Sequence, residues 1–275
     1  MITSSIVLYK TNKKDLHTII NCVLNSSIST LYLIDNSPTN ELGVYANKYK
    51  SDRIIYIFNK KNIGYGSGHN IAIKKSIEES TKYHIVINPD VYFESNIIEE
   101  LVMFMDKRVD CGLVMPKVLY PNGKIQCLCK LLPSPIDLFE RRFIPFTRYK
   151  EKKAMKFELH FTGYNQIMEV PSLSGCFMFI RVSVLKKVCG FDERFFMYAE
   201  DLDLCRRIGE VSKTIYYPRV SIYHEYGKGS YKNRKLLKYH ISSVVKYFNK
   251  WGWFFDKKRK LINKQVLTEL NYKQK

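Results

Sequence analysis

The stretch "SSIVLYKTNKKDLHTIINCVLNSSISTLYLIDN" (residues 4–36) joins two short apolar runs through an amphipathic segment. The runs at 4–10 and 30–36 are rich in Ile, Val, Leu and Tyr, a composition that is typical of strands. The apolar residues between them recur at the spacing of one helix face: Leu16, Ile19, Ile20, Val23 and Leu24. The stretch therefore predicts a strand, a helix and a second strand.

The same alternation continues through the first 110 residues. We predict strands over 53–58 and 84–90, and helices over 40–50, from near Asn70 and over 96–107. Asn96 and Glu99 have the spacing of a capping box at the start of the last of these helices. Alternation of this kind favours a mostly parallel sheet that is covered by helices on both faces, with ligands beyond the carboxyl ends of the strands. We interpret residues 1–110 as a nucleotide-binding half.

The pattern is less regular after residue 110. Three further segments read as strands: "CGLVMPKVLY" (111–120), "VPSLSGCFMFI" (170–180) and "TIYYPRVSIYH" (214–224). Two segments read as short helices, one over 182–189 and one that starts in an acidic stretch and stops at Gly209. We divide this part of the chain into a second half, residues 111–227, and a basic, aromatic helical tail, residues 228–275.

The composition is that of a folded, strongly basic protein. Lys and Arg number 45 against 26 Asp and Glu, which gives a formal charge of +19, and the seven Cys follow no disulfide or zinc spacing. We find no signal peptide before the first strand and no apolar run long enough to span a membrane. We therefore expect a cytoplasmic protein with reduced thiols.

The tail concentrates the positive charge. From Lys228 to Lys275 there are fourteen Lys or Arg against two acids, Asp256 and Glu269, and many aromatic residues lie among them. This composition favours contact with polyanions and is typical of a helix at an anionic membrane surface. A helix that packs on the catalytic domain, or a solvated charged face, is the alternative.

The segment "NIGYGSGHN" (62–70) follows a predicted strand and leads into a helix. Its glycines, Gly64, Gly66 and Gly68, resemble a dinucleotide fingerprint, but the third glycine of that pattern is replaced by His69. The glycines permit close backbone approach, and the helix start that follows favours anions. A plain tight turn is the structural alternative.

Polar residues end three of the predicted strands. Asp35 in "IDNSP" is placed to accept hydrogen bonds from a ribose or a pyrimidine base, and Asp90 in "INPDVYF" is placed to hold a hard divalent cation beside a diphosphate. An Asx turn is the alternative for each of them. His224 ends the last strand before a glycine-rich cationic loop, where it is a candidate metal ligand or phosphate contact as well as an ordinary packing residue.

The stretch "FFMYAEDLDLCRR" (195–207) places three acids after an aromatic cluster. Asp203 can pair with Arg206 or Arg207 at helical spacing, which favours a structural role. Glu200 and Asp201 follow bulky side chains, and partial burial there raises the pKa of a carboxyl, as a general base requires.

Taken in order, these segments resemble the family 2 glycosyltransferases of the GT-A fold, particularly the bacterial rhamnosyltransferase-like branch that builds surface polysaccharides. The matching pieces are "IVLYK", "LIDNS", "NIGYGSGHN", "INPDV", "SLSGCFMFIR", "GFDERFFMYAEDLDLCRR" and "HEYGKGS". The resemblance implies a mostly parallel central sheet flanked by helices, with a Rossmann-like nucleotide-binding half. It also implies that residues 111–227 are the acceptor-binding and catalytic half. The basic helical tail extends this fold at the carboxyl end.

The resemblance also implies roles for single residues. The nucleotide-sugar would contact Tyr9, Asp35, Asn62, Gly64, Gly68, Asn70, Asn88, Asp90 and Lys228. Asp90 would hold Mg²⁺ or Mn²⁺ together with His224, although Asn88 replaces the first acid of the family's DxD motif, and Lys10 replaces the Asn that usually follows Tyr9. The acceptor side would be lined by Ser174, Gly175 and Cys176. Asp201 would be the catalytic base, with Glu200 as an alternate or a helper.

The implied reaction is an inverting transfer of a sugar from a nucleotide-sugar to a saccharide acceptor in O-antigen or capsule synthesis, and we expect this acceptor to be linked to a polyprenyl diphosphate. dTDP-rhamnose is the favoured donor, and UDP-hexoses and GDP-sugars are alternatives. We expect peripheral attachment to the anionic inner face of the cytoplasmic membrane. A nucleic-acid-binding protein and an NAD-dependent oxidoreductase are the readings from other classes. We expect no nucleic-acid partner, because the chain has no helix-turn-helix, RNA-recognition or zinc pattern.

Overall fold

The strands of the protein form one mixed sheet. In the computed structural model, which describes residues 1–138, 148–225 and 234–272, nine strands belong to it. They are β1 (Ile2–Leu8), β2 (Thr30–Asp35), β3 (Ile54–Phe58), β4 (Tyr83–Ile87), β5 (Val91–Tyr92), β6 (Cys111–Leu119), β7 (Met168–Glu169), β8 (Phe177–Arg181) and β9 (Lys213–His224). The strands predicted in the first half are therefore present, and the segment at 170–180 forms a strand only over its second part.

The strand order is β3-β2-β1-β4-β8-β6-β9-β5, and β7 pairs with β9. The pairs within β3-β2-β1-β4 and the pair β6-β9 are parallel, whereas β8, β5 and β7 run antiparallel to their neighbours. The predicted mostly parallel sheet is thus confirmed. Because this one sheet runs through both 1–110 and 111–227, the division of the chain between these halves stays a prediction.

Nine helices of the described residues accompany the sheet. They are α1 (Lys13–Leu24), α2 (Glu41–Ala46), α3 (Tyr65–Glu78), α4 (Ile97–Lys107), α5 (Arg148–Phe157), α6 (Val182–Val188), α7 (Glu200–Ile208), α8 (Arg234–Trp251) and α9 (Lys257–Glu269). The predicted start of α3 near Asn70 was wrong, because the glycine-rich segment itself forms the first turns of this helix. The capping box at Asn96 was also wrong, since its side chain makes no capping hydrogen bond.

The core lies between the sheet and its helices. The predicted apolar face of α1 is buried, and α3 packs so closely on β1 that a Cβ atom at Gly68 would lie 2.7 Å from Cγ2 of Val7. Beneath α3 a buried polar chain crosses the sheet, in which Ser5 Oγ lies 2.7 Å from His69 Nδ1 and 2.8 Å from His84 Nε2. Burial lowers the pKa of both histidines, so both are neutral, hydrogen-bonded packing residues of the core.

The tail packs on the part of the chain between residues 111 and 227. Tyr247 and Phe248 of α8 are fully buried in a cluster with Phe195, and Arg206 of α7 forms a buried ion pair with Asp256 at 2.7 Å. Of the alternatives given for the tail, the inner face of α8 is therefore packed against the protein. Within the described ranges, no helix combines the length and the hydropathy that crossing a bilayer requires.

Candidate active site

Strand pairing brings Asp90 and His224 together. β5 pairs with the end of β9 so that Val91 lies opposite His224, and the N–H of Glu225 donates to the Asp90 carbonyl at 3.0 Å. As a result His224 Nε2 lies 3.4 Å from Asp90 Oδ1. His224 is almost fully buried, whereas the Asp90 side chain keeps 29% of its exposure. These two residues are 134 positions apart in the chain (224 − 90). We call them the donor-side pair, after the role that is predicted for Asp90.

Gln126 holds the imidazole of His224 in place. Its Nε2 donates to the His224 carbonyl at 2.7 Å, and its Oε1 lies 3.0 Å from His224 Nδ1. A carbonyl oxygen only accepts, so the amide nitrogen must face it and Oε1 must face the ring. Nδ1 therefore carries the hydrogen that it donates to Oε1, and Nε2 is the ring nitrogen that faces Asp90. A turn at 120–123, in which Gly123 has a φ of +79°, returns the chain from β6 to Gln126.

Negative charge gathers around this pair. Asp15, in the first turn of α1, has its pKa raised by partial burial and then by the carboxylates of Glu225 and Asp90. The Asp15 carboxyl is thus repelled by two carboxylates from distant parts of the chain, one of which belongs to the Asp90–His224 pair. A cation relieves such repulsion. Sequence reasoning missed Asp15, because nothing in the α1 sequence indicates that its first turn faces the end of β9.

The donor-side pair fits a divalent cation as a partial shell. One carboxylate and one oriented imidazole are suitable ligands for Mn²⁺, and Mg²⁺ accepts one or two carboxylates together with substrate phosphates. No cluster of three His, Cys, Asp or Glu ligands occurs among the residues that the structure describes. The remaining ligands would have to be diphosphate oxygens and water.

Tyr65 joins the donor side to the predicted acceptor side. Its hydroxyl donates to the Gly175 carbonyl at 2.7 Å and lies 3.0 Å from Asn88 Oδ1. The backbone repeats this connection, because the Asn88 N–H donates to the Cys176 carbonyl at 2.9 Å. Sequence reasoning missed Tyr65, because the pattern of the glycine-rich segment indicates roles only for its glycines.

Asp201 lies at the same junction. Its Oδ2 accepts a hydrogen bond from the Gly175 N–H at 2.9 Å, and its side chain is partly exposed. Glu200 is more deeply buried. It is 6% exposed, and its Oε2 has no hydrogen-bond partner among the residues that the structure describes. Burial raises the pKa of Glu200 to about 8, and the Asp201 carboxylate adds to this shift. Glu200 is therefore largely neutral at neutral pH.

A strained turn positions the acidic pair. Tyr198 and Ala199 both have positive φ, at 71° and 61°, immediately before α7. Two successive non-glycine residues in this conformation are held only where the surroundings determine them. Asp203, one turn further along, is fully buried and pairs with Arg207 at 2.8 Å and with Lys250 at 2.6 Å. The predicted structural role of Asp203 is confirmed, with Arg207 as the partner from its own helix.

Helix α8 supplies much of the surroundings that hold this turn. The rings of Phe196 and Tyr239 lie 4.4 Å apart, and Ser243 Oγ donates to the Met197 carbonyl at 2.8 Å. Further along, the Trp251 indole N–H donates to Asp203 Oδ1 at 2.8 Å. The inner face of α8 is thus a brace for the acidic stretch, which the aromatic and basic composition of the tail did not reveal.

Some predicted nucleotide contacts have their polar atoms occupied within the protein. Asp35 is fully buried, and it accepts hydrogen bonds from the Ser37 N–H at 2.7 Å and from the Tyr56 hydroxyl. The Asx turn is therefore present, and a nucleobase contact by Asp35 stays a prediction that requires this carboxylate to become accessible. The Asn70 side chain binds the backbone N–H and carbonyl of Phe191, so the structure gives Asn70 an anchoring role.

The glycine-rich segment acts mainly through packing. A Cβ atom at Gly64, whose φ is +97°, would lie 2.6 Å from the Phe196 carbonyl oxygen, and that same oxygen accepts the first N–H of α3, from Tyr65. Asn62 Oδ1 accepts the Gly64 N–H at 3.0 Å. This arrangement places the segment beneath the acidic stretch. Nucleotide contacts by Asn62, Gly64, Gly68 and Asn70 stay predictions.

Of the remaining predicted residues, three are described by the structure and one lies outside the described ranges. Tyr9 directly follows β1 and is 46% exposed, which leaves its ring available for stacking. Ser174 Oγ accepts the Cys176 N–H at 3.3 Å, and burial raises the pKa of the Cys176 thiol to about 12, so this Cys is an inert packing residue. Lys228 lies outside the described residues.

Comparison with known proteins gives consistent matches. A family profile described as "Glycosyl transferase family 2" matches residues 4–189. The N-acetylglucosaminyl-diphospho-decaprenol L-rhamnosyltransferase of Mycobacterium tuberculosis (strain ATCC 25618 / H37Rv) is 28% identical over 180 residues, which cover 59% of this chain and 56% of that protein. Rhamnosyltransferase WbbL of Escherichia coli (strain K12) is 35% identical over 103 residues, which cover 36% of this chain and 33% of that protein. The chain thus spans about half the length, or less, of these relatives.

Two solved structures share the fold at low sequence identity. GalNAc-T7, solved with UDP, GalNAc and Mn²⁺, has a TM-score of 0.62 at 14% identity and covers 98% of this chain and 55% of that one. S. aureus TarS 1-349 has a TM-score of 0.59 at 14% identity and covers 98% of this chain and 71% of that one. These likenesses confirm the predicted α/β GT-A architecture, a mostly parallel sheet flanked by helices.

Proposed function

The chain belongs to glycosyl transferase family 2, and we propose on this basis that it transfers a sugar from a nucleotide-sugar to a saccharide acceptor with inversion at the anomeric carbon. The observation that carries the proposal is the junction at Gly175. Its N–H holds the Asp201 carboxylate at 2.9 Å, and its carbonyl is joined through the Tyr65 hydroxyl to Asn88, two residues before Asp90. A base for the acceptor and a site for the donor diphosphate are thus neighbours.

Asp201 is the proposed catalytic base. Two adjacent carboxyls in different surroundings divide the acid and base roles, and the one that stays ionised is the one that can take a proton. Burial keeps Glu200 neutral, whereas Asp201 is partly exposed and is bound by a backbone N–H. In the reaction the acceptor hydroxyl loses its proton to Asp201 as its oxygen bonds to the anomeric carbon, and the bond from that carbon to the diphosphate oxygen breaks.

The leaving diphosphate requires a positive partner. A divalent cation, Mg²⁺ or Mn²⁺, would be held by Asp90 and His224 and would offset the negative charge that develops on the diphosphate. Gln126 would keep Nε2 of His224 directed toward that ion. Lys228 is a further candidate for charge compensation.

The donor and the acceptor are proposed from the relatives. The mycobacterial relative is named for L-rhamnosyl transfer to an N-acetylglucosaminyl-diphospho-decaprenol, and the Escherichia coli relative is named a rhamnosyltransferase. We therefore favour dTDP-rhamnose as the donor and a polyprenyl-diphosphate-linked saccharide as the acceptor, in surface polysaccharide synthesis such as that of O-antigen or capsule. UDP-hexoses and GDP-sugars are the alternative donors.

Thermal unfolding with dTDP, UDP, GDP and NAD, each with and without Mn²⁺, tests the donor site. A ligand at about 100 times its dissociation constant adds about 2.7 kcal/mol to the free energy of unfolding. We expect one pyrimidine nucleoside diphosphate to raise the melting temperature in the presence of Mn²⁺, and Asp90→Ala to remove most of this increase. Stabilisation by NAD alone, or by no nucleotide, would contradict the proposal.

A further inference from the structure

The turn between α8 and α9 presents aromatic side chains to solvent. Phe255 is 95% exposed, Phe254 is 62% exposed and Trp253 is 38% exposed. We call these three residues the aromatic turn. They follow directly on the buried part of the tail, where Tyr247 and Phe248 are fully buried. The tail therefore divides its aromatic residues into an inward set and an outward set.

The backbone on both sides of the aromatic turn is anchored. Gly252 ends α8 with a φ of +98°, and the Trp253 indole N–H donates to Asn249 Oδ1 at 2.9 Å. On the other side, the Asp256 side chain caps α9 by accepting a hydrogen bond from the Arg259 N–H at 2.8 Å. Asp256 also pairs with the buried guanidinium of Arg206. The exposure of the two phenylalanines is thus imposed by a fixed turn. Two apolar rings held in water in this way are costly unless something else covers them.

The charges beside the aromatic turn indicate what covers it. Lys257 and Lys260 are exposed on the first turns of α9, and Lys258 is exposed and pairs with Glu210 at 2.7 Å. Aromatic rings flanked by lysines suit the interface of an anionic bilayer, where rings enter the acyl boundary and ammonium groups meet lipid phosphates. An acidic protein surface would match the lysines but would give no reason for projecting phenylalanines.

We propose that the aromatic turn inserts into an anionic membrane surface and that α8 connects this contact rigidly to the catalytic helix. Tyr239 contacts Phe196 of the acidic stretch, and Gly252 lies thirteen residues further along the chain (252 − 239), which is about 20 Å of helix. Helix α8 thus sets how far Asp201 stands from the bilayer. The inference deepens the proposed function, on which it rests only for the lipid-linked nature of the acceptor.

The predicted membrane contact of the tail can involve only part of its aromatic residues. The inner face of α8 is buried against the catalytic half and is unavailable to lipid. Within the described part of the tail, the membrane contact is therefore assigned to the aromatic turn and the lysines that follow it.

Vesicle partitioning of the full chain tests the proposal. Phosphatidylcholine vesicles with and without phosphatidylglycerol are mixed with the wild type, with Phe254→Ala/Phe255→Ala and with a control, Val109→Ala, which shortens an 82% exposed side chain outside the tail. We expect the wild type to favour the phosphatidylglycerol vesicles and the double variant to bind about tenfold or more weakly, since burial of a Phe side chain contributes at least this factor. The control should match the wild type.

Several outcomes would overturn the proposal. Equal binding of the double variant and the wild type would do so, as would equal binding to neutral and anionic vesicles. A concentration-dependent dimer of the wild type that the double variant loses would assign the aromatic turn to a second copy of the chain. The nucleotide-dependent shift in melting temperature is recorded in parallel and should be unchanged in the double variant. Its absence from the wild type would count against the transferase proposal while leaving the vesicle result valid.

Discussion

The two sides of the candidate site are held in different ways. The donor side, Asp90 with His224, depends on the pairing of two strands of one sheet, and Gln126 reaches it from the turn after a third strand. The acid side, Glu200 with Asp201, stands on a short helix whose entry is strained and whose surroundings come from α8. The donor side is thus a property of the sheet, and the acid side is a property of the contact with the tail.

The family profile covers only part of this comparison. The matched residues, 4–189, include Asp90 but stop before the acidic stretch and before His224. The proposed base therefore lies in a part of the chain that is beyond the profile and is supported by α8. We expect changes on the acid side to separate catalysis from donor binding, and changes in the tail to act on the acid side first.

The largest expected effect follows from removing the base. Asp201→Asn should lower the rate of sugar transfer about 10²- to 10⁴-fold, because general-base catalysis contributes by this amount. The nucleotide-dependent shift in melting temperature should persist, since the donor-side pair is untouched. Glu210→Gln, which changes an exposed carboxyl just after the same helix, is the matched control and should retain full activity. Transfer within tenfold of the wild-type rate would move the base away from Asp201.

The second expected effect tests the support that the tail gives to the acid side. Arg206→Met leaves Asp256 buried without its ionic partner and should lower the free energy of unfolding by about 3–5 kcal/mol. The double variant Arg206→Met/Asp256→Asn removes both charges but keeps a side-chain oxygen that can cap α9, and it should recover part of this loss. Urea denaturation measures both values. A single variant as stable as the wild type would mean that the ion pair contributes nothing to the attachment of α8 and α9.

The third expected effect concerns the donor side alone. Gln126→Leu removes both hydrogen bonds that orient His224 and should weaken Mn²⁺ binding about 10- to 100-fold, the usual effect of losing a partner behind a metal ligand. Electron paramagnetic resonance titration of Mn²⁺ in the presence of the stabilising nucleotide measures the affinity directly. Gln265→Leu, on the exposed face of α9, is the control and should leave the affinity unchanged. Unchanged affinity in Gln126→Leu would remove Gln126 from the site.

The sequence predicted the donor side better than the acid side for a physical reason. Asp90 and His224 were predicted at strand ends, which meet at one edge of a mostly parallel sheet, although the short antiparallel strand β5 that brings them together was not predicted. Gln126 could not be found in this way, because its contact depends on a turn that reverses the chain. Nor could sequence distinguish the inward from the outward aromatic residues of the tail. Basic and aromatic composition suits a packed helix and a membrane helix equally, and only the contacts of α8 decide between them.

The last expected effect is gradual in pH and concerns the buried carboxyl beside the proposed base. The pKa of Glu200 is raised in the folded state from 4.5 to about 8, so the folded protein holds a proton that the unfolded chain releases between these values. The contribution of this group to stability is therefore complete below pH 4.5 and is lost as the pH rises toward 8, with a slope of at most about 1.4 kcal/mol per pH unit. Glu200→Gln should remove this slope and should be more stable than the wild type at pH 8.

The comparison of the two proteins isolates Glu200 from other titrating groups. His69 and His84 have lowered pKa values in the folded state, so their contribution to stability grows as the pH rises toward 6.5 and opposes that of Glu200. Because both histidines are present in the wild type and in Glu200→Gln, their contribution cancels in the difference between the two urea midpoints. A difference that stays constant from pH 5 to pH 8.5 would mean that Glu200 is ionised throughout this range. Protonation of Glu200 would then no longer distinguish the two carboxyls, and the choice of Asp201 over Glu200 as the base would lose its physical ground.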